Sequence, residues 1–195
     1  MARPPRFDTD QILDAAVRLA ASGGPGGVTM SAVAQAVGAP SGSMYHRFAG
    51  RTALLAEVWL RTVERFQAGY FDALHSDPDP RRAARAAARH VVAWSRAHVE
   101  EASLLLHGVG EFGRADWGEE YVRRADFGNE RVYASLGALA SSLGVTGPRD
   151  RERVTLALVD LPLSVVRRHL RAGEPLPPHA EDLAEECAAA LLYTA

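Results

Sequence analysis

The stretch Val28-Thr29-Met30-Ser31-Ala32-Val33-Ala34-Gln35-Ala36-Val37-Gly38-Ala39-Pro40-Ser41-Gly42-Ser43-Met44-Tyr45-His46-Arg47-Phe48 decides the fold. Thr29 stands where a hydroxyl can accept from the free N–H groups of a starting helix. Met30, Val33, Ala34 and Val37 then recur at helical spacing and form one apolar face. Gly38 supplies the turn, because glycine reaches positive φ without steric cost. Pro40 suits the first position of a following helix. That helix, Ser41 to Phe48, is too short to stand alone and must be held by Met44, by Tyr45 in part and by Phe48. Two helices joined by a tight glycine turn, the second polar on one side, describe a helix-turn-helix unit.

Working outward, Asp10 to Ala21 places Ile12, Ala15, Ala16, Leu19 and Ala20 on one face, with Thr9 or Asp8 as cap and the glycine-rich run 22–27 as stop. Ala49-Gly50 breaks the chain before a long helix from Arg51 to Leu74, whose core positions are Leu54, Leu55, Val58, Val63 and Phe66. Asp77-Pro78-Asp79-Pro80 ends it. Further helices are expected over 81–98, 100–108, 121–143, 148–171 and 179–193, with a loop at 108–118. No alternating run bounded by turns suggests a strand, and nothing repeats at a fixed period. The reading is all-α: an N-terminal three-helix helix-turn-helix domain, residues 1–52, and a C-terminal helical bundle, residues 53–195.

Composition sets the class. In 195 residues, 47% hydrophobic and 24% charged, there is enough apolar material for a soluble globular chain. All 22 basic residues are arginine. The net charge of −2 hides an asymmetry: residues 1–51 hold five arginines against three aspartates, and the remainder seventeen arginines against twenty-one acids. A net +2 in front of −4 suits an N-terminal nucleic-acid contact. No stretch approaches the ~18 apolar residues of a membrane span and no apolar leader follows Met1–Arg6, so a cytoplasmic protein without a membrane partner is expected. One cysteine, Cys187, excludes an intramolecular disulfide framework and a cysteine-rich zinc site. It reads as an inert thiol in a helical seam, with redox sensing as the alternative.

The second helix of the unit must present side chains to a major groove about 12 Å wide. Ser41, Gly42 and Ser43 are small enough to let the backbone approach bases and phosphates. Tyr45, His46, Arg47 and Arg51 offer hydroxyl, imidazole and guanidinium groups to the DNA backbone. Each has a plainer alternative: Tyr45 as core, His46 and Arg47 as solvated side chains.

From Ile12 to Trp59 the sequence resembles the TetR family of bacterial regulators. The carrying residues are Ile12-Leu13-Asp14-Ala15-Ala16, Val28-Thr29-Met30, Val33-Ala34, Gly38, Gly42-Ser43-Met44-Tyr45-His46-Arg47-Phe48, Arg51 and Leu54-Leu55. The resemblance implies that Thr29 caps its helix and touches phosphate, that Ser41, Gly42 and Ser43 face bases, and that Tyr45 and His46 hold the sugar-phosphate backbone. Arg51 stands where the family often has lysine, and the same contact, made bidentately, is implied. Two positions depart: Pro40 replaces a common capping hydroxyl, and Ser41 a common basic residue.

In the body, residues 148–171 carry two apolar rows: Val154, Leu158, Leu161 and Val165, then Leu156, Val159, Leu163, Val166 and Leu170. A helix apolar on both sides is buried on both sides. Leu183, Cys187, Ala190 and Leu191 add a seam of small residues on the last helix. These two helices, about 148–171 and 179–193, are expected to form a four-helix homodimer interface, which the resemblance also implies. Pro162 should kink the first of them. Two readers related by a two-fold axis would cover a palindrome in double-stranded DNA.

Trp94, His107 and Phe112, with Trp59, Phe66 and Tyr121, are candidates to line a pocket for a small apolar or aromatic effector, against the reading that they are core. No cofactor is expected, and His90, His98 and His107 are spaced too widely for one helical metal face. The functional expectation is a ligand-responsive regulator, a repressor by the family's usual mode. An all-α enzyme is disfavoured because no Gly-x-Ser-x-Gly, His-Glu-x-x-His or phosphate loop occurs. The third class is a helical interaction module whose helix-turn-helix is only structural.

Overall fold

The computed structural model describes residues 8–145 and 147–193; Arg3 and Arg6, counted above in the basic N-terminal side, lie outside these. Among the described residues there are helices and no strand. The helices are α1 (Thr9–Gly23), α2 (Met30–Val37), α3 (Ser41–Tyr45), α4 (Arg51–Leu74), α5 (Pro80–Ala97), α6 (Val99–Leu105), α7 (Glu119–Ser142), α8 (Pro148–Thr155), α9 (Leu161–Ala172) and α10 (Ala180–Tyr193). They divide into two compact units that do not follow chain order. One holds the described residues up to Val63 with Glu100–Ala125, the other Glu64–Val99 with the described residues from Asp126 onward.

In the first unit, the Asp8 backbone N–H donates to Gln11 Oε1 at 3.3 Å, ordering the first turn of α1. Gly24, at φ +69°, ends that helix where a side chain would be strained. Ile12, Ala16, Val33, Met44, Leu54 and Phe112 are buried in one cluster that the loop after α6 completes. The Gly108–Gly118 loop is not bare coil: the Trp117 indole N–H donates to the Phe112 carbonyl at 2.9 Å, and both rings are buried.

In the second unit, Pro80 opens α5, and the Asp79 carboxylate accepts from the Arg81 N–H at 2.9 Å. Ala83, Ala84, Ala87 and Ala88 give α5 a flat face on which α10 lays Ala180, Ala184 and Ala188, all buried. Arginines flank this seam. Arg89 reaches Glu181 at 2.6 Å, Asp182 at 2.8 Å and Glu185 at 2.9 Å. Arg96 pairs with Glu181 and donates to the Pro177 carbonyl at 2.7 Å. Exposed pairs of this kind each contribute about 0–1 kcal/mol, so alanine packing carries the stability and the charges fix the register.

Residues 148–171, expected as one helix kinked at Pro162, form two helices with an irregular turn just ahead of that proline. A π turn, Leu156–Asp160, joins α8 to α9, with the Leu161 N–H donating to the Leu156 carbonyl. Pro162 has no N–H for the carbonyl four residues earlier, that of Leu158. The Tyr70 hydroxyl donates to that carbonyl instead, at 3.2 Å. The widened turn advances the register, so the two expected rows are not the observed faces. Val154, Ala157, Leu158, Pro162 and Val166 are buried, drawing on both rows, while Leu156 is 41% exposed.

Candidate nucleic-acid interface

Thr29 caps α2 as expected: its hydroxyl oxygen accepts from the Ala32 N–H at 3.0 Å and lies 3.2 Å from Ser31 Oγ. Gly38, at φ +69° and ψ +27°, takes the left-handed turn, and the Ala39 N–H closes on the Ala34 carbonyl at 2.8 Å. Pro40 sits just ahead of α3 in extended conformation, one position earlier than expected. Its carbonyl accepts from the Ser43 N–H at 2.9 Å and from the Ser43 hydroxyl at 2.7 Å.

α3 ends at Tyr45 rather than Phe48, because the Met44 carbonyl takes both the Arg47 and Phe48 N–H groups at 3.0 Å and tightens the chain into a turn. Met44 is fully buried and Phe48 nearly so. Tyr45, expected to pack in part, is 62% exposed. Met44 and Phe48 already fill the core side of this short segment, and the adjacent side chain is carried around the helix to solvent. Ser41, Gly42 and His46 are exposed with it; Ser43 and Thr29 are half-buried. Ser41, Gly42 and Tyr45 on α3, and His46 just after it, are therefore open to solvent.

Arg51 behaves differently from a free surface cation. Its Nε donates to the Val28 carbonyl at 2.8 Å and its Nη2 to the Pro25 carbonyl at 2.7 Å. Two further arginines, not singled out from the sequence, tie this unit together. Arg61 reaches from α4 to Asp14 at 2.6 Å and Asp10 at 3.4 Å on α1. Arg124 reaches from α7 to Glu57 on α4 at 3.0 Å. Partners 47 to 67 residues apart leave no signal in local periodicity.

Residues 12–58 match the family model described as bacterial regulatory proteins, tetR family. They form a TetR-type helix-turn-helix domain.

No curated protein matches the chain significantly. Solved structures with a TetR-type fold resemble it along most of its length. A transcriptional regulator, FadR, from Bacillus subtilis, solved in complex with stearoyl-CoA, superposes with a TM-score of 0.72 at 13% identity, covering 95% of this chain and 98% of that one. The TetR family regulator PfmR from Thermus thermophilus gives 0.70 at 21% identity, covering 98% of each chain. A TetR family regulator from Marinobacter aquaeolei gives 0.74 at 16% identity, covering 93% of each. At these identities the likeness is one of fold, and the all-α architecture behind the TetR-type domain is shared with them. No helix among the described residues is long and apolar enough to cross a membrane.

The six candidate ligand residues fall into two groups. Trp59, His107, Phe112 and Tyr121 belong to the unit that contains the TetR-type domain, and Phe66 and Trp94 to the other. Trp59 and Phe112 meet at 5.0 Å between ring centroids, and His107 pairs with Glu111 at 3.1 Å. Phe66 packs edge-on against Trp94 at 5.3 Å and stacks on Tyr70 at 5.7 Å. Phe112 is fully buried and Trp94 nearly so; Trp59, Phe66, His107 and Tyr121 are half-buried. His90 was missed. Its ring lies against α4 beside Gly69, with Nε2 3.2 Å from the Phe66 carbonyl, and burial holds its pKa below the ordinary histidine value. Gly69, a glycine in the interior of α4, leaves the space that this ring occupies.

Proposed function

We propose that the chain is a ligand-responsive transcription repressor that binds a palindromic operator as a homodimer. The observation that carries this reading is the exposed side of α3, where Ser41, Gly42, Tyr45 and His46 point outward while Met44 and Phe48 anchor the helix from behind. In this reading Ser41, Gly42 and Ser43 meet base edges, and Thr29, Tyr45 and His46 meet the DNA backbone, with Arg51 at the start of α4 in the same reader. Residues 1–52 are the reader and residues 53–195 the sensing and pairing body.

Pairing is assigned to the two helical segments at about 148–171 and 179–193. Leu156 and Leu183 are exposed there, and Leu163, Leu170, Cys187 and Leu191 are half-buried, so an apolar face remains uncovered in the single chain. A two-fold pair places the readers on half-sites about 34–36 Å apart. The effector is assigned to the apolar and aromatic class, with Trp94 and Phe66, or Trp59, Phe112, His107 and Tyr121, as its contacts. The acyl ligand of the B. subtilis neighbour supports an apolar effector. Effector binding favours a dimer shape whose readers no longer match the half-sites.

Gel-shift measurement on the DNA flanking the chain's own gene tests the reading. The expected result is salt-sensitive, sequence-selective retardation, lost in Tyr45→Ala while helical content and the dimer persist. Absence of selective binding at any protein concentration would end it.

A further inference from the structure

We propose that Arg51 is the positioning residue of the reader: its guanidinium closes the helix-turn-helix into a ring, and this, rather than phosphate neutralisation, is what it supplies to DNA binding. The proposal rests on the DNA-reading function proposed above. Val28 is the residue immediately before the Thr29 cap, so the Nε bond at 2.8 Å pins the peptide that enters α2. Pro25 lies in the 3₁₀ turn ahead of it, and its carbonyl accepts both the Val28 N–H at 3.2 Å and Arg51 Nη2 at 2.7 Å. At the other end, Arg51 is the first residue of α4, directly after the segment that α3 feeds through Phe48, Ala49 and Gly50.

One side chain thus joins the entrance of α2 to the exit of α3. Everything that reads DNA lies on the loop between. The tie matters because α3 spans only Ser41–Tyr45, too short for its own hydrogen bonds to hold it. Its core anchors, Met44 and Phe48, are at or beyond its C-terminal end, and its first two residues are exposed. The attitude of α3 is therefore set by the frame around it.

Arginine suits this task in a way lysine does not. Nε and Nη2 form one edge of a rigid planar fork and meet two carbonyls at once, whereas an ammonium on a flexible stem is a single point. The edge committed to Val28 and Pro25 is also the side-on edge that would grip a phosphate bidentately.

The test uses the full-length protein and two duplexes of equal length, one enriched from random-sequence DNA by the wild-type protein and one scrambled. If the wild type enriches no sequence, the DNA-reader reading itself fails, separately from the role of Arg51. Given enrichment, Arg51→Lys and Arg51→Gln should each lose about tenfold to hundredfold affinity for the enriched duplex, the worth of hydrogen bonds from a charged donor. Binding to the scrambled duplex and the dependence of log Kd on log salt should stay at wild-type values. A phosphate contact gives the opposite pattern: Arg51→Lys binds as the wild type, while Arg51→Gln weakens both duplexes alike and its salt slope falls by about one. That pattern, or wild-type binding by both variants, overturns the proposal.

Because either variant could fail to fold, the wild type carries a second readout. In NMR spectra of the free protein the Arg51 Nε–H should exchange slowly with solvent and keep its shift when the enriched duplex is added. Fast exchange in the free protein, or a large shift on adding DNA, overturns the proposal whatever the variants do.

Discussion

The bond between Tyr70 and Leu158 offers the sharpest test of how the second unit is held together. Tyr70 is 1% exposed and its hydroxyl donates to the Leu158 carbonyl at 3.2 Å; Leu158 is itself fully buried, and Pro162 denies that carbonyl its usual helical donor. Tyr70→Phe removes the donor and little else, because the Phe66 stacking contact survives in a phenylalanine. A buried carbonyl stripped of its partner costs about 1–3 kcal/mol, partly offset here by the lower cost of burying a phenyl ring than a phenol, so a loss of about 1–2 kcal/mol is expected. For a chain of this size each kcal/mol lowers Tm by about 2–4 °C. Urea unfolding followed by circular dichroism, at one fixed chain concentration because the proposed dimerisation would add to apparent stability, measures it. The decisive arm is a double-mutant cycle with Pro162→Ala, which restores an N–H within reach of Leu158. In that background Tyr70→Phe should cost less, by about 0.5 kcal/mol or more. Equal cost in both backgrounds, or no cost in the wild type, would refute the idea that the hydroxyl stands in for the proline's missing donor.

The other predictions rest on single contacts. Gly69→Ala should destabilise, although alanine ordinarily gains about 1 kcal/mol over glycine inside a helix. A Cβ there would lie 2.5 Å from His90 Cε1, and that ring is held by the Phe66 carbonyl; a higher urea midpoint would show the ring to be free to move. Stability should also fall at alkaline pH. Burial raises the Tyr70 pKa, so above about pH 10, where an unfolded tyrosine ionises, the native chain holds the extra proton and unfolding becomes easier as pH rises. The chain has no lysine to blur that limb; burial also raises Tyr121 and Tyr193, so Tyr70→Phe should make it shallower without removing it, and an unchanged limb assigns the effect elsewhere. Leu183→Arg, on the exposed side of α10, should give a monomer of unaltered helical content, because Ala180, Ala184 and Ala188 keep α10 on α5. Sedimentation showing an intact dimer would take the interface off that face.

Much of the architecture was legible because it follows from local rules. Thr29, Gly38 and the Met30–Val37 periodicity give α2 and its turn wherever they occur, since caps, left-handed glycines and apolar spacing act within a few residues. The start and end of α4 at Arg51 and Leu74 were readable for the same reason. The candidate site was legible in composition but not in orientation. Tyr45 lies at the end of a helix one turn shorter than its pattern suggested, and whether its ring faces core or solvent depended on how completely Met44 and Phe48 filled the space beneath α3.

What the amino-acid order determined alone is where most of the helices lie, local caps such as Thr29 and Gly38, and the type of domain in residues 12–58, because these depend on backbone propensity and short-range spacing. Only the folded chain decided which side chains commit their hydrogen bonds internally. Arg51 looked like a cation for phosphate until its partners, 23 and 26 residues earlier, were placed beside it. Pro162 announced a kink in 148–171, but not that the carbonyl it leaves without a donor would be met by a tyrosine 88 residues away. Such pairings join groups that meet only after the chain has closed long loops, and a loop-closing contact has no periodicity to announce it.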